Sequence, residues 1–142
     1  MNVENQTAAE AAADSRGGVK IECLAVHRDA RGSLFEPLDE RELGAQRNVH
    51  VVVSEPGAIR GNHVHRDSVE MTAVVGPCLV RLKEAERVRD ITVPDGETWR
   101  FTIPAGVAHA YRNTGAAVML LVSFSSRRHD PANPDTQREV IL

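Results

Sequence analysis

Three histidines and one glutamate are the residues of this 142-residue chain whose types and spacing could do chemistry. His63 and His65 stand two positions apart in Gly57-Ala58-Ile59-Arg60-Gly61-Asn62-His63-Val64-His65. That stretch is bounded by turn residues and reads as a strand. Strand side chains alternate, so both imidazoles leave one face and Val64 the other. Glu70 follows five positions on, the wrong parity for an unbroken strand, and Arg66-Asp67-Ser68 is read as the break that resets it. His109 comes later, just after Pro104-Ala105-Gly106. Three imidazoles and one carboxylate are a competent ligand set for one divalent transition metal such as zinc, iron, manganese or nickel. On a metal that takes five or six ligands, positions remain for water or substrate.

Such side chains need a scaffold, and the rest of the chain describes one. From Val19 onward, short β-branched stretches alternate with turn residues. Strands are expected at 19–26, 34–38, 49–53, 59–65, 71–75, 78–82, 91–93, 99–103, 108–112 and 118–124, with a last one at 139–142 and one helical turn at 39–43. About ten short strands with no long helix predict an all-β sandwich or barrel. Residues 19–142 are read as one domain. Residues 1–18 are read as a disordered or loosely attached tail, because a short isolated Ala-rich helix is marginal in water. Seventeen basic against twenty acidic side chains give a formal net charge of −3, which disfavours nucleic acid as a partner. No apolar run reaches the roughly 20 residues of a membrane span, so no membrane partner is expected. The N-terminal stretch lacks the apolar segment of a secretory signal. Cys23 and Cys78 each lie in apolar stretches and are read as buried free thiols, in keeping with a reducing, cytoplasmic setting. Trp99 reads as core packing, and the Arg87/Arg89 and Arg127/Arg128 pairs as solvated faces.

Taken singly, each of these histidines reads as an ordinary surface side chain. Taken together, the two segments resemble the paired motifs of the cupin superfamily. The first runs from Gly57 through His63-Val64-His65 to Glu70 and Gly76. The second runs from Gly96 through Pro104-Ala105-Gly106-Val107-Ala108-His109 to Asn113. The resemblance implies a small barrel of two antiparallel sheets, usually dimeric, with His63, His65, Glu70 and His109 as the metal ligands. Asp29-Ala30-Arg31-Gly32-Ser33-Leu34 and Arg47 through His63 look like the nucleotide-sugar branch, the deoxysugar epimerases and ketoisomerases. Arg60-Gly61-Asn62-His63-Val64-His65 with Glu70 is most similar to the C-terminal cupin domain of bifunctional capsule-sugar enzymes, which epimerise and then reduce a UDP-4-keto-6-deoxyhexosamine. The tail from Asp130 to Thr136 resembles the end of that domain. No glycine-rich dinucleotide loop is present, so any reduction is expected of another protein.

The resemblance implies a 4-keto-6-deoxy sugar nucleotide as the small-molecule substrate and epimerisation or isomerisation next to its ketone. Such chemistry needs a base, a group that stabilises the enolate oxygen, and a returned proton; a divalent metal can serve as the second. The base must be a residue that is not a ligand. His50, on the 49–53 strand, and Tyr111, on the face of His109, are the catalytic candidates, with Glu36 a third. Each has a plainer reading, a half-buried strand histidine for His50 and a wall residue for Tyr111. Arg60 and Arg112 are candidate anchors for the sugar-nucleotide phosphates, since the guanidinium fork matches phosphate geometry. Arg31 reads as a structural residue of its turn. Two other functions remain open on the same residues: an iron-dependent cupin oxygenase acting on a non-sugar molecule, and a non-catalytic sugar-binding cupin.

Overall fold

The structure, a computed structural model, describes residues 7–13 and 18–142. Its strands are β1 (Lys20–Cys23), β2 (His27–Asp29), β3 (Gly32–Leu34), β4 (Asn48–Ser54), β5 (Ile59–His65), β6 (Glu70–Val75), β7 (Cys78–Glu84), β8 (Arg87–Val93), β9 (Thr98–Ile103), β10 (Ala108–Asn113), β11 (Met119–Ser125) and β12 (Thr136–Arg138). Two short helices are α1 (Ala8–Ala13) and α2 (Glu40–Gly44). One antiparallel sheet runs β1-β9-β6-β11-β4, the other β12-β5-β10-β7-β8, and β2 and β3 form a separate hairpin. This is the all-β cupin architecture expected from the sequence.

The core lies between the two sheets. Trp99, Phe101 and Leu121 of the first meet Val80, Leu82 and Ile91 of the second, all almost fully buried. In β7 the alternation is explicit, with Cys78, Val80 and Leu82 buried and the residues between them half-buried. Trp99 donates its indole N–H to Glu97 at 2.6 Å, so its one polar atom is satisfied as the ring is buried.

The outer face of the first sheet is partly covered by the segment around α2. Asp39 caps that helix reciprocally with Glu42. Arg100 of β9 donates to Glu22 at 3.0 Å and to the Pro37 carbonyl at 2.9 Å, and it also pairs with Glu42. A guanidinium buried under this segment is thereby neutralised from both sides.

Several expectations change. Part of the segment read as a loose tail is helix α1, with Ala8 and Ala11 in the core cluster and the Ala11 carbonyl accepting from Arg89 at 3.1 Å. Tertiary burial of alanine, absent from the isolated-helix argument, supports it. The expectations for residues 1–6 and 14–17 lie outside the described residues. Arg89 is buried rather than solvated. Both thiols are free, but Cys23 is exposed, because it ends the outermost strand of its sheet. The last strand is 136–138, not 139–142. Instead, the Ile141 and Leu142 amides donate to Asn62 Oδ1, at 2.9 and 3.0 Å.

Candidate metal centre

His63 and His65 project from β5, and their rings meet edge to face at 5.0 Å. His109 projects from β10 directly opposite His63. The register shifts by one residue there, a bulge on β5. The bulged residue is Asn62, at φ 56°, and Gly61 before it has φ 84°. A side chain at Gly61 would place its Cβ 2.8 Å from the His109 carbonyl oxygen, so only glycine allows the two strands to approach this closely. The Asn62 amide in turn holds the 139–142 segment, a contact that sequence alone did not suggest.

Glu70 arrives from the other sheet. The 66–68 break does not reset the parity of one strand; it carries the chain from β5 to β6, across the barrel. Glu70 is almost fully buried. The four residues offer one donor atom each, and these atoms lie within 4.8 Å of one another. That spread is close to twice a metal–ligand bond of about 2.1 Å.

The donor chemistry fits a cation. His109 Nδ1–H donates to the Val107 carbonyl at 3.1 Å, so its Nε2 lone pair faces inward. That lone pair lies 3.4 Å from Glu70 Oε1 and 3.0 Å from His63 Nε2. Acceptors facing each other in a buried site require a shared proton or a cation between them. Burial first, and the neighbouring His109 next, push the His63 imidazole down to about 4, so it is neutral at pH 7 with a lone pair to offer. Burial is the largest influence on His65 and opposes its charge, yet the hydrogen bond to Glu70, at 2.8 Å, the charge of Glu70 and the nearby Asp135 together outweigh it and raise that ring above its ordinary value. Burial also opposes charge on Glu70, but the flanking His109 and His65 imidazoles hold its carboxyl well below the usual range. Thr72 donates to Glu70 Oε1 at 2.7 Å and lies 2.8 Å from Ser123, fixing the carboxylate from behind.

The cluster opens on a cleft of about 480 Å³ lined by His50, His63, His65, Glu70, Asn48, Ser125, residues 127–130 and Pro134–Thr136. His50 pairs with Ser123, and Ser123 with Thr72, so all three share the inner face. Tyr111 is buried, its hydroxyl 3.5 Å from Glu70 Oε1, and it does not line the cleft. Burial raises its phenol well above the ordinary value. Glu36 is exposed between β3 and α2, away from the cleft. Arg60 is exposed opposite Tyr111 and has no side-chain partner among the described residues. Arg112 alternates away from Tyr111 and pairs with Leu79 and Ile59, so its side chain leaves the face opposite the cluster. Arg112 is therefore not among the residues that line this cleft. Of the pair read as a solvated face, Arg128 is exposed and Arg127 is half-buried and pairs with Asp67 at 2.7 Å; both line the cleft. No spacing rule could have found Arg127 or Asp135, because the 126–135 segment has no regular period.

The chain is 28% identical over 131 residues to the spore coat polysaccharide biosynthesis protein SpsL of Bacillus subtilis, covering 85% of this chain and 87% of that one. The capsular polysaccharide assembling protein CapF of Staphylococcus aureus is 26% identical with a TM-score of 0.62; the match covers 83% of this chain but only 33% of CapF. ChmJ, a 3'-monoepimerase from Streptomyces bikiniensis solved with dTDP-quinovose, shares the fold at a TM-score of 0.68 and 19% identity, over 85% of this chain and 69% of that one. Residues 27–137, which include His63, His65, Glu70 and His109, match the polysaccharide biosynthesis C-terminal domain family, and the chain belongs to that family.

Proposed function

We propose that this chain is a metal-dependent sugar-nucleotide epimerase or isomerase, acting next to the ketone of a 4-keto-6-deoxy sugar. The observation that carries the reading is His50, a histidine that is not a ligand, on the inner face of a cleft that ends on three imidazoles and a carboxylate. Similarity to SpsL and to CapF, polysaccharide proteins by name, supports the substrate class. The fold shared with a 3'-monoepimerase is consistent with the reaction.

His63, His65, Glu70 and His109 would hold one divalent cation. Bound there, it supplies the Lewis acidity that stabilises negative charge on a carbonyl oxygen. The remaining steps belong to the chain. His50 accepts the proton from the carbon beside the ketone; the C–H electron pair forms a C=C bond as the carbonyl π pair moves onto oxygen, giving an enolate. Water in the open cleft returns a proton to the opposite face as the C=O bond re-forms, which inverts the centre, and the hydroxide left behind takes the proton from His50. Tyr111, buried behind Glu70, holds that carboxylate rather than meeting substrate. Arg60, exposed and unpaired among the described residues, is the guanidinium for the diphosphate.

The functional unit is proposed to be a homodimer. Val49, Val51 and Val53, exposed by 57%, 58% and 63%, form an apolar stripe on the outer face of edge strand β4, where an antiparallel sheet facing water carries polar residues. A second copy is the partner proposed for that stripe. No helix among the described residues is long and apolar enough to cross a membrane. Two free thiols fit the proposed cytoplasmic setting.

The test is proton NMR in D2O of UDP- and dTDP-4-keto-6-deoxy sugars with metal-loaded protein. Loss of the C3 signal supports enolising chemistry, loss at C3 and C5 a 3,5-epimerase, and transfer of signal between C3 and C4 a ketoisomerase. The same donor set also suits an iron-dependent oxygenase, which metal-dependent oxygen uptake without exchange would favour. Binding without exchange or oxygen uptake would favour a sugar-binding cupin.

A further inference from the structure

Asp135 lies just before β12, at the cleft mouth, and its carboxylate reaches three parts of the molecule. Oδ1 accepts from the Asp67 amide at 2.9 Å, and Oδ2 from the Ser68 hydroxyl and amide at 2.5 and 3.2 Å. These groups belong to the turn that carries the chain from β5 to β6, between His65 and Glu70. Arg127 Nη1 stands 3.4 Å from Oδ1 and 2.7 Å from Asp67. Asp135 Oδ2 also stands 3.5 Å from His65 Nδ1, with Thr136 Oγ1 at 3.4 Å. The His65 ring is therefore bracketed: Nε2 faces Glu70 inside the barrel and Nδ1 faces Asp135 outside it.

We propose that Asp135 is the positioning residue of the metal centre: its carboxylate sets the ring orientation and tautomer of His65 and fixes the turn that delivers Glu70. The inference rests on the metal reading above. A carboxylate beside Nδ1 keeps the proton on that nitrogen, leaves the Nε2 lone pair for the cation, and makes it more basic. The same side chain holds Arg127, so the 126–135 segment along the cleft mouth is tied to the state of His65. Asp135 touches no reacting atom; it acts through its neighbours.

Zinc affinity, read by competition with a chromogenic chelator on metal-stripped full-length protein, tests the proposal. Asp135→Asn keeps the size and one acceptor oxygen, and is expected to weaken zinc roughly ten- to a hundredfold. Ser68→Ala removes a turn contact without touching His65 and is expected to stay within about threefold of wild type, on the same scale. Equal loss in both variants would mean that Asp135 only anchors the turn, and an unchanged Asp135→Asn would also overturn the inference. Nitrogen-15 NMR of the zinc-loaded wild type needs no variant: the proton is expected on His65 Nδ1 and the metal on Nε2. The reverse assignment overturns the proposal. A wild type that binds no zinc, nor iron, manganese or nickel, contradicts the metal reading itself and this inference with it. Wild-type binding with an unaffected Asp135→Asn contradicts this inference alone.

Discussion

Gly61→Ala separates close packing at the ligand pair from ordinary turn strain. Gly61 and Gly57 have nearly the same left-handed backbone, at φ 84° and 77°. A Cβ at Gly57 meets nothing within 4 Å, whereas one at Gly61 falls 2.8 Å from the His109 carbonyl oxygen and 3.1 Å from Ala110 Cα. Both are backbone atoms of β10 and cannot swing aside. Gly57→Ala should therefore cost only the left-handed conformation, about 1–2 kcal/mol. Gly61→Ala adds overpacking of about 1–3 kcal/mol on top of that. For a domain of this size the added term lowers the melting temperature by roughly 2–12 °C beyond the Gly57 variant. The clash also pushes β5 from β10 where His63 and His109 face each other, so zinc affinity should fall in Gly61→Ala and hold in Gly57→Ala. Thermal unfolding of the metal-stripped proteins, followed by chelator competition, reads both effects. Equal melting temperatures and equal zinc affinities for the two variants would refute the close approach.

Other expectations follow from the same geometry. His50→Ala should abolish carbon-bound proton exchange while leaving zinc affinity within about threefold, since loss of a non-ligand spares the donor set; an Ala variant that still exchanges at the wild-type rate would remove His50 as the base. Val51→Asp places a charge in the centre of the β4 stripe and should convert a dimer to monomer in sedimentation, with zinc affinity kept. Cys78 is buried and burial pushes its thiol up to about 12 from the ordinary 9, so a thiol reagent at pH 8 should titrate one group per native chain, Cys23, and two after unfolding. The unfolded chain loses that proton first as pH rises, so Cys78 contributes a stability loss between pH 9 and 12 of up to about 1.4 kcal/mol per unit, absent in Cys78→Ala.

The sequence was most readable where local chemistry and tertiary structure agree. Ile59–His65 forms the strand expected of it, and its two histidines share a face because period-2 alternation is a property of the strand alone. The helical turn at 39–43 appears as α2, where Asp39 and Glu42 form a cap within a few residues. Glu70 joins the cluster by a different geometric route. Parity within one strand says nothing of a partner sheet, and only the barrel's closure brings β6 opposite β5. Arg127 and Asp135 lie on an irregular segment whose position depends on contacts with Asp67 and Ser68, more than fifty residues earlier, so no local pattern announces them. Arg112 neighbours Tyr111 in sequence and therefore faces the other way, away from the cluster.

The most direct test of the account compares proton exchange in three samples of the same protein: metal-loaded, metal-stripped, and metal-loaded His50→Ala. Each is incubated in D2O with a 4-keto-6-deoxy sugar nucleotide while the C3 and C5 protons are followed. Exchange is expected in the first and its loss in both others, with restoration when metal is returned to the second. Exchange that survives metal removal, or no exchange in the loaded wild type at protein levels near substrate, would contradict it.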